Sequence, residues 1–212
     1  MQSIKLSPEE QEQFIRQEIE NLIKTIVTLS GLTQEDFDAL RTLAPVCRSW
    51  ADDIARHIKE RLLTFPNGEA YLDTYLNGDL AGWYRSLFEV TDVDAFWASQ
   101  IDMAISHARH NVPNEVIVGL APFWIELSNV YAHRFLDRDR VLTCVRVVTR
   151  VLGGTVALMV SMREIVMFHT FMETTGFSKT LIERLWQNTL ERFTDRLQRV
   201  KAEYFMERAS SA

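Results

Sequence analysis

The chain has 212 residues, 47% of them hydrophobic and 25% charged, and its formal net charge is -6. This composition is typical of a globular protein with enough apolar residues for one core. The acidic balance argues against nucleic acid as the main partner, because phosphate binding requires a concentrated basic surface.

Helical periodicity begins near the N-terminus. Ser7 and Glu10 have the spacing of a capping box, which predicts that a first helix begins there and ends at Gly31. Thr33 and Asp36 repeat this spacing and predict the start of a second helix. In both segments apolar residues recur at intervals of three and four residues, which is the pattern of amphipathic helices.

Further helices are predicted through the middle of the chain. Pro45 is expected to separate the second helix from a third one, at roughly residues 47–65. Short helical pieces follow, and the next long helix begins near Asp92 and runs toward His107. Pro113 then lies where another helix would begin.

Two long helices complete the predicted architecture. The first covers about residues 140–172 and the second about residues 178–208. Since no segment alternates like a strand, the chain is predicted to be all-α. The predicted domains are an N-terminal helical extension (1–30), a main helical domain (31–174) and a C-terminal helix (175–212).

Three features of the sequence favour a cytoplasmic protein. The N-terminal segment lacks the apolar core of a signal peptide. The most apolar stretch, residues 151–162, is too short to span a bilayer and is predicted to be a buried helix, so no membrane partner is expected. Cys47 and Cys144 are far apart in the sequence and have neither catalytic nor metal-binding spacing, which fits a reducing compartment.

Two of the five histidines, His107 and His110, lie at the end of one predicted helix. His107 follows an apolar stripe, and a histidine in such a place is more often structural than a ligand. The pair could contribute to a divalent metal site, but no carboxylate or cysteine has the matching spacing, and His110 is expected to lie at the helix end. No nucleophile, phosphate-loop or dinucleotide motif occurs, so the chain is not predicted to be an enzyme.

Three segments, in order, carry a family resemblance. The first is GLTQEDFDALRTLAPVCRSWADDIARHIKERLLTFP, the second is LAGWYRSLF and the third is HARHNVP. They resemble the opening helix pair, the Trp-x-x-x-Leu-Phe segment and the His-x-Arg-x-x-(Val/Leu)-Pro string of the sensor globins, the branch that includes globin-coupled sensors and protoglobins. The resemblance covers residues 31–135 most clearly.

The resemblance implies a globin-like fold with an extra N-terminal helix and an additional C-terminal helix. In that family the first histidine of the third segment binds the iron of haem b, and this position is His107. A proximal histidine must project from an apolar wall, which the stripe before His107 supplies. The residues expected to line the haem with it are Ile58, Lys59, Leu76, Leu80, Trp83 and Met103.

The distal side of the implied haem pocket departs from the family pattern. Ile58 and Lys59 stand where the family has a Phe-Tyr pair whose tyrosine hydrogen-bonds bound oxygen. Lys59 is expected either to reach the haem propionates or to be a solvated lysine on the helix flank. Without that hydroxyl, bound oxygen should dissociate or autoxidise quickly, unless Tyr71, Tyr75 or Tyr84 is the donor.

The resemblance implies a haem-binding sensor of a diatomic gas (O2, CO or NO) or of redox state, which signals through a separate partner protein. A haem-free globin-like regulatory interaction domain is the main alternative, because some members of this branch bind no haem. A haem protein with minor redox chemistry is a third hypothesis. An absorption spectrum after haem addition would distinguish the haem-free interaction domain from the two hypotheses in which haem is bound.

A homodimer is also expected. The long helix near residues 140–172 has more apolar residues than one core face requires, and Gly153 and Gly154 would allow close approach of another helix. In the last helix, apolar residues recur at alternating steps of four and three residues, which is the pattern of a coiled-coil seam. The equally supported alternative is that this helix folds back and completes the core of its own chain. The seam residues are Trp186, Leu190, Phe193, Leu197, Val200 and Tyr204.

Overall fold

The computed structural model describes residues 8–210, apart from the side chains of Pro8, Asn188, Glu191, Arg192, Ala202 and residues 204–210. Eight α-helices form within this range and none of its residues lies in a strand, so the prediction of an all-α fold is confirmed. The helices are α1 (Pro8–Ser30), α2 (Gln34–Cys47), α3 (Ala51–Leu62), α4 (Leu80–Ser86), α5 (Val93–Arg109), α6 (Asn114–Phe135), α7 (Arg138–Thr175) and α8 (Lys179–Ser210). Short 3-10 helices form at Arg48–Trp50, Gly68–Tyr71 and Tyr75–Gly78.

The first helix boundaries follow the local signals in the sequence. The carboxylate of Asp36 accepts hydrogen bonds from the backbone N–H of Thr33 at 3.0 Å and from its hydroxyl at 3.2 Å, so the capping box at the start of α2 is confirmed. Gly31 has a φ of +64°, a left-handed conformation that costs glycine little, and α1 ends directly before it. The other predicted capping box begins at Ser7, which lies outside the described residues.

The predicted helix break at Pro45 is wrong. α2 continues through Pro45 to Cys47, and the 3-10 turn Arg48–Trp50 leads directly into α3. A proline beyond the first turn of a helix removes one backbone hydrogen bond, and its ring crowds the carbonyl of residue i−4. At Pro45 the neighbouring Leu43, Ala44 and Cys47 are buried, so packing in the core offsets this cost. α2 and α3 therefore follow one another without an intervening loop.

Residues 10–167 form one compact unit with its own hydrophobic core. The apolar residues of α7, which suggested a contact surface for a second copy of the chain, are largely buried in this core. Two of its residues, Val156 and Val160, are half-buried. The buried ones are Val147, Val148, Val151, Leu152 and Met159.

Gly154 lies at a tight contact inside this unit. A Cβ atom at this position would lie 3.2 Å from Leu32, 3.3 Å from Ile26 and 3.4 Å from Trp97. Only glycine therefore lets these side chains pack against α7 without displacement. At Gly153 the equivalent point faces open space, so only the second glycine of the pair makes a close contact within the chain.

Within residues 8–210, α7 is the one helix long and apolar enough to cross a membrane, by length and composition alone. A buried core helix meets the same criterion, and half of the most apolar window of α7 is buried inside the structure. The packing of its valines in the core of residues 10–167 accounts for this composition.

The remaining described residues, 8–9 and 168–210, belong to a second unit. Within it α7 ends at Thr175, Gly176 has a φ of +69°, and α8 begins at Lys179, close to the predicted start. The described seam side chains of α8 are exposed, and the side chain of Tyr204 lies outside the described residues. The predicted domain boundaries at residues 30 and 174 stay predictions.

Candidate functional site

His107 lies in the last turn of α5 and is fully buried. The N–H of Val112 donates to the carbonyl of His107 at 3.0 Å, just after α5 ends. Asn111 has a φ of +52°, and Pro113 follows as the residue that caps α6. The turn from α5 into α6 is therefore built around the predicted ligand position.

The imidazole of His107 makes a specific hydrogen bond. Its Nε2 lies 2.9 Å from the backbone nitrogen of Leu76, whose N–H can only donate, so Nε2 accepts. The proton of the neutral ring is then on Nδ1, which is buried and has no hydrogen-bond partner among the described residues. A neutral imidazole with a free lone pair binds metals, but here the protein backbone uses the lone pair on Nε2.

An unusual turn presents the N–H of Leu76. Leu76, Asn77 and Gly78 have φ values of +51°, +54° and +74°, three consecutive residues in the left-handed region. This region costs a residue such as leucine roughly 1–2 kcal/mol. The Oδ1 of Asn77 accepts a hydrogen bond from the hydroxyl of Ser106 at 2.5 Å. Two hydrogen bonds to side chains of α5 therefore hold the Tyr75–Gly78 turn against His107.

Four residues, Tyr75, Trp83, Tyr84 and Trp124, form a buried aromatic cluster beside His107. The ring of Tyr75 stacks on the imidazole, with centroids 5.5 Å apart and an interplanar angle of 4°. Trp124 donates from Nε1 to the Tyr75 hydroxyl at 3.1 Å. Trp124 also stacks on Tyr84 and meets Trp83 edge to face. The aromatic cluster therefore joins α4 and α6 to the histidine.

The other polar atoms of the aromatic cluster also have buried partners. The Nε1 of Trp83 donates to the Oε1 of buried Gln100 at 3.2 Å. The hydroxyl of Ser128 donates to the carbonyl of Trp124 at 2.8 Å, so the hydroxyl of Tyr84 donates to Ser128 at 3.0 Å. A buried polar group left unpaired costs roughly 1–3 kcal/mol, so these bonds stabilise the closed arrangement.

Burial sets the charge state of the site. Burial and, to a smaller extent, the charge of His110 lower the pKa of His107 to about 4, so the ring is neutral at neutral pH. Burial also raises the pKa of the Tyr75 and Tyr84 hydroxyls, so both phenols stay protonated. The imidazole and the aromatic cluster are therefore uncharged.

The structure brings most of the predicted haem-lining residues into one core. Those buried with His107 are Ile58, Leu76, Leu80 and Trp83. Met103 is half-buried and packs against the same core. Lys59 is exposed, which corresponds to the solvated lysine and not to a side chain that lines a buried site.

The residues around His107 do not fit haem in this arrangement. An axial ligand needs its coordinating nitrogen free, whereas the Nε2 of His107 accepts the N–H of Leu76. A pocket for a cofactor of this size has a volume of about 300–1,000 Å3. Instead, Tyr75 and Leu76 pack against the imidazole and are only 3% and 1% exposed. Two open grooves on the described surface lie along α1 and α6, and neither includes His107.

The described residues do not form a divalent metal site at the two histidines. No group of three or more His, Cys, Asp or Glu side chains among them lies close enough together to hold a metal ion. His110 is exposed, and its Nδ1 lies 2.9 Å from the carbonyl oxygen of Ser106. His110 therefore binds the end of α5, as the sequence predicted, while His107 points into the core.

Sequence reasoning missed two parts of this region. Trp124 and Gln100 belong to no motif, although both make hydrogen bonds inside the aromatic cluster or to it. Cys47 and Cys144 have no paired spacing in the sequence, but the structure places their Sγ atoms 4.0 Å apart. The one available signal was that each cysteine lies on the apolar face of its helix.

No protein-family model matches this chain, and no curated protein or solved structure matches it. The sensor-globin resemblance therefore depends on the three sequence segments alone and stays a proposal. The closed geometry around His107 and the exposed seam of α8 are the observations that bear on function.

Proposed function

We propose that this chain is a haem-free regulatory interaction domain with a globin-like helical fold. The observation that carries the proposal is the exposed apolar seam of α8, a surface suited to binding another helix. Trp186 is 61% exposed and Phe193 is 57% exposed, and Leu190, Leu197 and Val200 on the same seam are also exposed. A continuous apolar seam in water favours association with another protein.

The buried site around His107 supports the haem-free form of the proposal. The lone pair of its Nε2 is used by Leu76, and Tyr75 stacks on its ring. Trp83, Tyr75 and Tyr84 also have buried hydrogen-bond partners, and the Nδ1 of His107 is the atom of this site that has none among the described residues. Such a site holds α4, α5 and α6 together and needs no cofactor to fill it.

We infer that the partner of α8 is a second copy of this chain. Described side chains near the seam carry charges of both signs, including Glu183, Arg184, Asp195 and Arg196. Two copies related by a two-fold axis could bury their seams together and pair acidic with basic side chains. The paired helices would then be the surface presented to a separate signalling protein.

Full-length protein is expected to be a dimer in light scattering, with twice the chain mass of 24.6 kDa. The variant Leu190→Glu with Leu197→Glu should be a monomer at the same concentration, because the dimer would bury two carboxylates in its seam. The matched control is Gln187→Glu with Gln198→Glu, which adds the same charge at exposed polar positions of α8. This control should remain dimeric.

A monomeric wild type would contradict the homodimer, and so would a seam variant that keeps the dimer mass. Loss of the dimer in both variants would indicate an effect of net charge and not of the seam. Circular dichroism of each variant should match the wild type, so that a loss of the dimer is not confused with unfolding.

A haem-binding sensor of O2, CO or NO, or of redox state, is the second candidate. Two observations favour it, the HARHNVP string and the buried neutral ring of His107 with its lone pair on Nε2. Haem binding would require the Tyr75–Gly78 turn to leave Nε2. The left-handed conformation of Leu76 costs roughly 1–2 kcal/mol, which such a movement would release.

Titration of full-length protein with haemin separates the two candidates. The haem-free proposal predicts no saturable absorption band near one haem per chain, and the same spectrum for wild type and His107→Ala. A band that is lost in His107→Ala and kept in His110→Ala would overturn it and support the haem sensor. His110 is the matched control because it is exposed at the same end of α5. Peroxidase turnover by such a complex would indicate the redox alternative.

A further inference from the structure

The structure contains a buried pair of thiols that takes no part in the hydrogen bonds of His107. Cys47 is the last residue of α2, and Cys144 lies in the second turn of α7. Both side chains are fully buried, and their Sγ atoms are 4.0 Å apart. The chain has no other cysteine, so any disulfide within one chain must join these two.

We propose that Cys47 and Cys144 are an oxidation site, at which a peroxide converts the two thiols reversibly to a disulfide. The two sulfur atoms are already in contact, and a disulfide bond brings them to about 2 Å. The reaction therefore requires a small movement of two helices and no rearrangement of the fold. This inference depends neither on haem nor on the proposed interaction function.

The contact between the two thiols shifts their pKa values in opposite directions. Either thiol can donate in this contact. The arrangement in which Cys47 donates lowers the pKa of the Cys144 thiol. The same hydrogen bond, together with burial, raises the pKa of the Cys47 thiol. Because the thiolate is the reactive form, Cys144 is the nucleophile and Cys47 the resolving thiol when Cys47 is the donor, and single variants test this assignment.

Hydrogen peroxide supplies the oxidising equivalents for both steps. The Cys144 thiolate attacks one peroxide oxygen, the O–O bond breaks, and the hydroxide that leaves takes up a proton to become water. The sulfur of Cys47 then attacks the sulfenic acid on Cys144. The S–S bond forms, the S–O bond breaks, and the Cys47 proton leaves with the second water. Two thiols are oxidised and one peroxide is reduced to two waters.

The end of α2 offers a small oxidant a route to the buried pair. Pro45 has no N–H, so the last turn of α2 has one backbone hydrogen bond fewer than a regular helix. Directly after Cys47 the helix changes to the 3-10 turn Arg48–Trp50. Helix ends open locally at a lower free energy than the whole fold, and hydrogen peroxide is neutral and small.

The aromatic cluster would report the oxidation. Burial and, to a smaller extent, the charges of the two thiols raise the pKa of the Tyr84 hydroxyl. Tyr84 stacks on Trp124, with ring centroids 5.6 Å apart and an interplanar angle of 14°. Since tryptophan fluorescence depends on the groups around the ring, the emission of Trp124 should change when the disulfide forms.

The test uses reduced full-length protein treated with hydrogen peroxide under native conditions. The intact mass should fall by the mass of two hydrogen atoms, and no free thiol should remain after the oxidised protein is unfolded. The product should migrate as a single chain without reductant. A dithiol reductant should restore both thiols and the original tryptophan emission.

Two free thiols in the peroxide-treated protein after unfolding would overturn the proposal. Oxygen atoms added at Cys47 or Cys144, located by peptide mass spectrometry so that oxidised methionines are told apart, or a disulfide that joins two chains, would overturn it equally. These measurements use the wild type, so they decide the proposal even if a cysteine variant does not fold.

Single variants test the roles of the two thiols. In Cys47→Ala, the sulfenic acid on Cys144 has no resolving partner and should be trapped by dimedone. Cys144→Ala is the matched control, and its remaining Cys47 should give much less dimedone adduct. Equal labelling of the two variants, or stronger labelling of Cys47, would overturn the assignment of Cys144 as the nucleophile.

Discussion

Replacing Trp124 with alanine is expected to lower the free energy of unfolding by about 3–5 kcal/mol. The side chain is 1% exposed, packs against Trp83 and Tyr84, and donates to the hydroxyl of Tyr75. Alanine would leave a cavity at the centre of the aromatic cluster and remove the donor that pairs with a buried hydroxyl. Denaturant unfolding of the full-length chain, followed by circular dichroism, would measure the change.

Two further variants show which interaction of Trp124 accounts for the loss of stability. Trp124→Phe keeps most of the ring contacts but has no N–H, so its loss should be smaller, roughly 1–3 kcal/mol. Leu63→Ala removes a side chain that is 50% exposed and should change the free energy of unfolding by no more than about 0.5 kcal/mol. A Trp124→Ala loss as small as that of Leu63→Ala would contradict a tightly packed aromatic cluster.

Acidification is expected to destabilise the protein through His107. The pKa of this ring is about 4 in the folded chain against a reference value of 6.5, so the unfolded state binds a proton that the folded state does not. The stabilisation is fully present above pH 6.5 and is lost as the pH falls toward 4. His107 alone should then lower the free energy of unfolding by about 2 kcal/mol between pH 7 and pH 5, and by about 3 kcal/mol over its whole range.

Unfolding measurements near pH 7 and near pH 5 would isolate this contribution. The difference between the two conditions should be smaller in His107→Gln than in the wild type, because glutamine does not titrate in this range. His133→Gln is the control, since His133 is exposed on α6 and should leave the wild-type difference unchanged. If wild type and His107→Gln lose the same stability on acidification, then His107 is not held as a buried neutral ring.

The same proton connects His107 to the Tyr75–Gly78 turn. A protonated Nε2 can no longer accept the N–H of Leu76, so two donors would face each other across this contact. The neutral ring therefore favours the closed arrangement at neutral pH. Any ligand of His107 would have to compete with this hydrogen bond and with the stacked ring of Tyr75.

Several helix boundaries could be predicted because their causes lie within a few residues. Thr33 and Asp36 satisfy each other at the start of α2, and Gly31 and Gly176 adopt left-handed conformations directly after helices. The prediction at Pro45 was wrong because the cost of a helical proline can be offset by tertiary packing, and here the neighbouring Leu43, Ala44 and Cys47 are buried. Local sequence does not show this packing.

The candidate site was predictable only up to the placement of its histidine. The apolar stripe before His107 correctly indicated a buried position. The residue that binds its Nε2, Leu76, is 31 positions away and uses its backbone, so no side-chain pattern could indicate it. Whether the space beside the imidazole is open or closed depends on how Tyr75 and Trp124 pack, which is a tertiary property.

By itself the sequence determined that the chain is all-α, that His107 faces a core and that α8 has an apolar seam. Each of these follows from composition and period within one segment, because a helix places every third and fourth residue on one face. Only the tertiary structure decided that the N–H of Leu76 donates to His107 and that Lys59 is exposed. It also decided that the sulfur atoms of Cys47 and Cys144 are in contact, although 97 positions separate them in the sequence. Those contacts join helices that are distant in the sequence, so their geometry depends on the packing of the whole core.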